Sequence, residues 1–517
     1  MKPKVILIGL DGATWTLLRA FAEDGTMPTI QYFIENGITG TLLSTIPCYT
    51  APAWTSMVTG LNPGKHGIYG FVRENRIASI SSLSCPKIWN VLNNYGISTG
   101  VMNVPLTYPP EKIDSFMIPG MLTPNRDDTV WPKNVLKEIE AKCGKYIFDV
   151  PVDISKDMKD KSIFDRLRNS LQTRAETFYF LMDKYKPDFS MIVFELPDRI
   201  QHIFWKYLEP KSHHFNHDIA KNIRANSKQL YADLDKVIAR LLEKYGNNSY
   251  FFLASDHGFT AQNYTLYLNN LFIKKGVLQL KRFARQIQLV NRVALRLKNR
   301  IKLLPENFFK SAYQPYDLSK TIAYASMPFE CGVYINQNSV LINREEVKGR
   351  VIKALNELKH PLTDDFLNLD IVFKESIYSG PHMELGPDIL ITVENNTFDI
   401  SNGLYRRSIF YSREKVPWGC HHRNGIWAAI GPGIRHGHYI GEVNITDIFP
   451  TILSLYKMTI PSNCDGRVLD ECFISELPTS IEDQKTFAHE SQNKQAPYSC
   501  NETIEIKRAL RNLGYIE

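Results

Sequence analysis

Val5-Ile-Leu-Ile-Gly-Leu10, closed by Asp11-Gly12, is an aliphatic and β-branched run with no polar break. Such a run predicts a strand covered on both faces, as the strands of parallel sheets are. Two later stretches share its character. Phe189-Ser-Met-Ile-Val-Phe194 leads into Glu-Leu-Pro-Asp198, and Tyr250-Phe-Phe-Leu-Ala-Ser255 leads into Asp256-His257-Gly258. Shorter runs at Thr39–Thr45, Thr99–Met102, Asp388–Val393 and Gly425–Ile430 read as further strands. Between them, Leu17–Asn36 (interrupted near Pro28), Lys87–Tyr95, Ser162–Lys184 and Ile219–Tyr245 carry helical periodicity. Buried strands alternating with amphipathic helices predict an α/β fold with helices on both faces of one sheet. Residues 113–151, rich in Pro, Gly and Asp, read as irregular.

The chain has 517 residues, enough for one large domain with insertions or for two to three domains. Apolar residues at 44% and charged residues at 22% describe an ordinary globular protein, and a net charge of +7 by itself implies no partner. The eight cysteines are scattered with no CxxC pair, which reads as free thiols rather than a disulfide framework. No stretch approaches the ~20 apolar residues that span a bilayer, and the apolar run at the amino terminus is too short for a signal peptide. A cytoplasmic location is the default expectation. Nothing resembles a nucleic-acid recognition module.

A second stretch, Pro47-Cys-Tyr-Thr-Ala-Pro-Ala-Trp-Thr-Ser-Met-Val-Thr-Gly60, reads as a loop turning into a helix. Pro52 fits the first turn, Gly60 can end the run, and Trp54, Met57 and Val58 share a buried face. Thr50 then falls at the helix head, where N–H groups and the dipole favour an anion, or it is simply a cap.

Asp11, Asp198 and the Asp256-His257 pair each follow the carboxyl end of a predicted buried strand, the edge where open α/β sheets bind ligands. Carboxylates gathered on one edge repel one another unless something positive sits among them, and a metal is the simplest answer. Asp198 and His202, four residues apart, share one face of a helical turn. His421 lies in Gly419-Cys-His-His-Arg-Asn-Gly425, with His422 as a rival. The set suffices for two ions, one on Asp198, His202 and His421, the other on Asp11, Asp256, His257 and the Thr50 oxygen. Mixed carboxylate and imidazole donors suit zinc best, with manganese or iron as competitors.

In their order along the chain, Asp11, Thr50 within Thr-Ala-Pro-Ala-Trp-Thr-Ser-Met-Val-Thr-Gly, Asp198-x-x-x-His202, Ser-Asp256-His257-Gly and Gly-x-His421 resemble the motifs of the alkaline phosphatase superfamily, in its type I phosphodiesterase/nucleotide pyrophosphatase branch. Asp447-Ile-Phe-Pro-Thr-Ile-Leu and Asp465-Gly-Arg-Val-Leu resemble that family's closing segment, so the likeness spans about Val5 to Asp465. The resemblance implies a three-layer sandwich with a mostly parallel central sheet and an inserted cap. It implies Thr50 as a covalent nucleophile, two zinc ions on the seven positions above, and His421 rather than His422. The implied substrate is a small-molecule phosphoester. Ala53 departs from the pattern, standing where nucleotide-cleaving relatives carry an Asn that binds a phosphoryl oxygen. A donor is then expected elsewhere, at Asn103 or at the helix head.

The expected organisation is a catalytic core over 1–261 and 386–476, an inserted cap over 262–385, and a polar tail over 477–517. From Lys274 to Leu304 there are ten Lys and Arg and no Asp or Glu. Leu280, Phe283, Ile287, Val290, Ala294, Leu297, Ile301 and Leu304 follow helical steps, so this stretch reads as an amphipathic helix, packed on the core with a solvated basic face, capping the site to attract anionic substrates, or lying on anionic membrane. His66 reads as structural, and His213 and His214 as surface. Two rival functions stand beside phosphoester hydrolysis: transfer of the phospho-group to an acceptor other than water, and a non-catalytic, metal-stabilised membrane-docking protein. A sulfatase is disfavoured, since Thr50 stands where a Cys-x-Pro-x-Arg nucleophile motif would be.

Overall fold

The computed structural model describes residues 2–73, 76–83, 85–126, 128–210, 218–287, 315–325, 332–337, 343–393, 397–404, 406–482 and 498–513. The elements that carry the site are, in chain order, β1 (Lys4–Leu10), α1 (Trp15–Glu23), α2 (Pro28–Asn36), β2 (Ile38–Leu43), α3 (Thr50–Thr59), β3 (Thr99–Met102), β4 (Phe116–Ile118), α4 (Ser162–Tyr185), β5 (Phe189–Phe194), α5 (Leu196–Leu208), α6 (Asp218–Tyr245), β6 (Ser249–Ala254), β7 (Gly258–Ala261), β8 (Gly419–His422), β9 (Asn424–Ile430), β10 (His438–Asn444) and α7 (Ile448–Leu455).

Eight of the strands form one sheet in the order β10–β2–β9–β6–β1–β5–β3–β4. The fold is α/β with a mostly parallel central sheet. β1 pairs in parallel with β5 and β6, β5 with β3, and β3 with β4, while β9 alone runs against its neighbours β2 and β6. β5 is buried at every position and β1 at all but its first residue, as aliphatic runs covered on both faces should be. Gly9 pairs with Val193 of β5 and with Ala254 of β6, so the residues after all three strands emerge side by side at the carboxyl edge. Asn424 of β9 pairs with Leu43, the last residue of β2. The reversed strand therefore begins where the parallel strands finish, and the residues before it reach the same edge.

The core on one side of the sheet gathers Trp54, Met57, Trp89, Phe252, Trp427, Phe449 and Leu453. Space for Trp54 comes from β1, because a Cβ on Gly9 would run into the indole and stand 2.8 Å from Val193 Cγ2. α3 stops at Gly60, whose φ of +68° is a left-handed conformation that glycine adopts without strain.

The described chain divides into two compact units. The first takes Met1–Ala261, Tyr378–Gly386 and Val416–Ile516. The second takes Gln262–Ile377 and Pro387–Lys415, and so reaches thirty residues past the expected cap boundary at 385. The strand Ile389–Val393, expected in the main sheet, lies instead in a separate four-stranded sheet with Ala323–Ala325, Gly332–Ile335 and Leu369–Phe373. That unit has its own core around Leu271, Phe272, Val333, Val351, Leu355 and Ile391.

Two other expectations change. Residues 113–151 are not wholly irregular, since they supply β4 and a helix over Val135–Cys143. The basic stretch does not begin as one helix: a helix over Leu268–Lys274 ends in a turn at Gly276, and Leu280 bridges to Tyr316. Residues 288–314, with most of that stretch, lie outside the described residues, as do His213, His214 and the tail over 483–497. Among the described residues no helix is long and apolar enough to cross a membrane.

Candidate active site

Every candidate ligand reaches the carboxyl edge through a strand end. Asp11 follows β1. Asp198 and His202 sit one turn apart in the first half of α5, which starts two residues after β5. Asp256 and His257 follow β6, and His421 lies in β8, whose antiparallel pairing with β7 sets it opposite Phe259. Thr50 is the first residue of α3, with Tyr49 in the capping position and no side-chain cap.

These residues form a tight buried cluster. His202 Nε2 lies 3.2 Å from Asp198 Oδ1 and 3.0 Å from His421 Nε2, which is itself 3.5 Å from Asp198 Oδ1. His257 Nε2 lies 3.2 Å from Asp256 Oδ2, 3.8 Å from Asp11 Oδ1 and 3.3 Å from Thr50 Oγ1. Ligand atoms of Asp11, Asp256 and His257 fall within 4.8 Å of one another, and so do those of Asp198, His257 and His421. His257, expected on the Asp11 side alone, therefore stands within reach of both groups. Its ring stacks on that of His421 with centroids 3.7 Å apart, and Phe259 packs edge-on against His202 and His421.

The three carboxylates share one pattern. Asp11 Oδ2 accepts from Trp54 Nε1 (3.1 Å), Asp198 Oδ2 from Arg199 Nη1 (3.5 Å), and Asp256 Oδ1 from the Gly12 N–H (3.1 Å). Among the described residues, the opposite oxygens (Asp11 Oδ1, Asp198 Oδ1 and Asp256 Oδ2) receive no hydrogen bond, although they are buried. A buried, unsatisfied carboxylate oxygen is costly, and these three point toward the imidazoles. The imidazoles are turned to match. His257 Nδ1 lies 3.2 Å from the Gly258 carbonyl, and His421 Nδ1 lies 3.2 Å from the Cys48 carbonyl. A carbonyl only accepts, so each Nδ1 carries the proton and each Nε2 keeps its lone pair for a ligand.

Charge follows the same logic. Burial, then repulsion from Asp256 and Asp198, holds the Asp11 carboxyl well above the usual range, and burial with the Asp198 charge pushes Asp256 up to about 8. Burial also opposes the charge on Asp198, but His202 and the Arg199 guanidinium hold its carboxyl well below the usual range. Burial keeps His257 and His421 neutral, the form that binds metal. Donors sharing one ion at about 2.0–2.2 Å in a tetrahedron stand roughly 3.3–3.6 Å apart, close to the spacings seen here. The donor set fits divalent cations in number, type and orientation.

Residues 5–326 match the family of type I phosphodiesterases and nucleotide pyrophosphatases. The chain belongs to this family. As a type I phosphodiesterase/nucleotide pyrophosphatase it is a metal-dependent hydrolase of phosphoesters. Solved structures similar to it include murine ectonucleotide pyrophosphatase/phosphodiesterase 5, at 16% identity over 89% of this chain and 97% of that one, with a TM-score of 0.48. An inactive form of the same murine protein in complex with AMP aligns at 16% identity over 90% and 97%, with a TM-score of 0.49. No curated protein matches the sequence.

Within this phosphodiesterase chain, the expectation of a phosphate donor at Asn103 does not hold. Asn103 is fully buried, and its amide group donates to Val193 O (2.7 Å) and Glu195 Oε1 (3.3 Å), so its N–H groups are committed to the fold. Ala53, the departure from the family pattern, is fully buried inside the core cluster. His422 stands outside both ligand groups and accepts from Asn424 N at 3.0 Å. His66 is buried, donating to Ser56 Oγ through Nε2 (2.9 Å) and accepting from Ile68 N through Nδ1 (3.1 Å).

Three residues that matter here escape the linear reading. Trp54 appears in it only as core, Arg199 is unremarked beside Asp198, and Phe259 is hidden in a short strand. The signals were present: Trp54 is one helical turn beyond Thr50, and Arg199 sets a positive charge next to Asp198 in the sequence.

Proposed function

We propose that this enzyme cleaves a phosphodiester or pyrophosphate bond through a covalent phospho-threonine intermediate on Thr50. Asp198, His202 and His421 would hold one divalent ion, and Asp11, Asp256, His257 and the Thr50 oxygen a second, with zinc the ion these donors suit best. The observation that carries the reading is Thr50 Oγ1, buried at the head of α3 and 3.3 Å from His257 Nε2.

When bound, such ions lower the proton affinity of a hydroxyl or water and offset the negative charge that builds around phosphorus. The chain supplies the rest. Thr50 Oγ1 gives its proton up to solvent and attacks phosphorus, a bond forms between them, and the bond to the departing oxygen breaks, that oxygen leaving with the bonding pair. The start of α3 points its dipole at the phosphoryl group and favours its negative charge. Water then attacks the same phosphorus, the bond to Thr50 breaks, and the hydroxyl is restored. Phe259 and the stacked histidines exclude bulk water from one wall, which strengthens every charge interaction inside.

The test uses bis(4-nitrophenyl) phosphate and acid-quenched intact mass spectrometry. Thr50→Ala should lower turnover on the order of 10³-fold or more, as loss of a covalent nucleophile does elsewhere, and abolish a phospho-adduct seen with the native chain, with bound metal retained. Turnover unchanged in Thr50→Ala would overturn the assignment.

A further inference from the structure

We infer that Trp54 and Arg199 are positioning residues, each fixing one metal-facing carboxylate so that the two halves of the site are tuned separately. The inference rests on the two-ion reading above.

Trp54 is fully buried, and its indole N–H can only donate; it holds Asp11 Oδ2 at 3.1 Å. The ring fills the space that Gly9 leaves open, so the indole has little room to shift. That bond fixes the rotation of the Asp11 carboxylate and takes up one lone pair of Oδ2, while Oδ1 faces His257. Arg199, 1% exposed, does the same for Asp198. One guanidinium nitrogen lies 3.5 Å from Asp198 Oδ2, and the other donates to Asp149 Oδ1 at 3.1 Å. Asp149, outside α5, anchors the guanidinium from behind, and Asp198 Oδ1 is left toward His202 and His421.

Two properties follow. One-oxygen presentation suits a small four-coordinate ion better than ions that take six or more oxygens. The clamps also differ in charge: the Asp11 clamp is neutral, whereas the Asp198 clamp is a cation that shares the carboxylate's charge. Each should therefore act most strongly on the half whose carboxylate it holds, as outer partners of metal ligands do, although His257 lies within reach of both halves.

The experiment titrates chelator-stripped full-length protein with Zn²⁺ against a competing indicator, with bound zinc counted by mass spectrometry of the metal. Trp54→Phe removes the N–H and keeps most of the ring; Arg199→Gln removes the charge; Arg199→Lys keeps the charge without the fork. The native chain should take up two ions. On an Asp198→Asn background, Trp54→Phe should weaken the remaining ion by about 10–100-fold, and Arg199→Gln should weaken it by a clearly smaller factor. On an Asp11→Asn background the pattern should reverse, and Arg199→Lys should recover part of the loss. Thermal melts of the stripped variants establish that each is folded before titration. If both variants weaken both ions alike, or neither moves either ion, the inference is overturned while the two-ion reading stands. A native chain that takes up no ion would overturn both.

Discussion

His66 shows how one side chain can be fixed in a single protonation state by geometry alone. Its Nδ1 accepts the Ile68 N–H and its Nε2 donates to Ser56, so a second proton would displace a backbone hydrogen bond in a site with almost no water. Burial, with a smaller effect from His382, pushes its pKa down to about 3. The sign follows from linkage. The unfolded chain binds a proton near pH 6.5 that the folded chain refuses, so this histidine costs no stability above about pH 6.5 and progressively more below it. The cost is about 1.4 kcal/mol per pH unit between roughly 6.5 and 3, hence about 2 kcal/mol on going from pH 7 to pH 5. Urea unfolding of the metal-free protein at those two pH values should show a steeper loss for the native chain than for His66→Gln. The variant starts lower at pH 7, having lost hydrogen bonds worth about 1–3 kcal/mol. Parallel pH slopes in the two proteins would rule His66 out as the source.

At the scale of elements, the distance between β1 and α3 decides whether Thr50 and the Asp11 carboxylate meet. That distance is set by Gly9. A methyl group there would strike the Trp54 indole and Val193, and neither the central strand β5 nor the buried ring can retreat cheaply. Gly9→Ala should lower stability by about 1–3 kcal/mol, as overpacking does, and zinc retention during dialysis should fall with it because Trp54 carries the Asp11 bond. Loss of stability with zinc retention untouched would separate the packing from the site. Much at this scale was legible in the sequence. β1, β5 and β6 are covered on both faces, so their composition is unambiguous, and an acidic residue just past each strand end marks the edge. The direction of β9 was not legible, because an antiparallel strand buried among parallel ones has the same aliphatic content. That reversal is what brings His421 to the others. Nor could composition say that Ile389–Val393 joins a different sheet, or that a three-residue strand at 116–118 completes the main one. Asn103 was misread for a related reason: the carbonyl it binds belongs to Val193, 90 residues away, and tertiary partners leave no local pattern.

At the scale of the molecule, every candidate ligand lies in the first unit, and the second unit has a core of its own. Chelation should then act on one unit only. A ligand that binds the folded state alone adds stability as RT ln(1 + [L]/Kd), about 2.7 kcal/mol per site when free ion stands at 100 times Kd. Removing it also leaves three buried carboxylates close together with, among the described residues, only the Arg199 guanidinium beside them, which destabilises the same unit further. Unfolding enthalpy scales with size at about 0.7 kcal/mol per residue, so the larger unit should give the larger calorimetric transition. Scanning calorimetry with excess chelator should move that transition to lower temperature and leave the smaller one in place, and titration with Zn²⁺ should return it. A single transition that moves as a whole would mean that the two cores unfold as one cooperative block, and stability could then no longer report on the site separately from the rest of the chain.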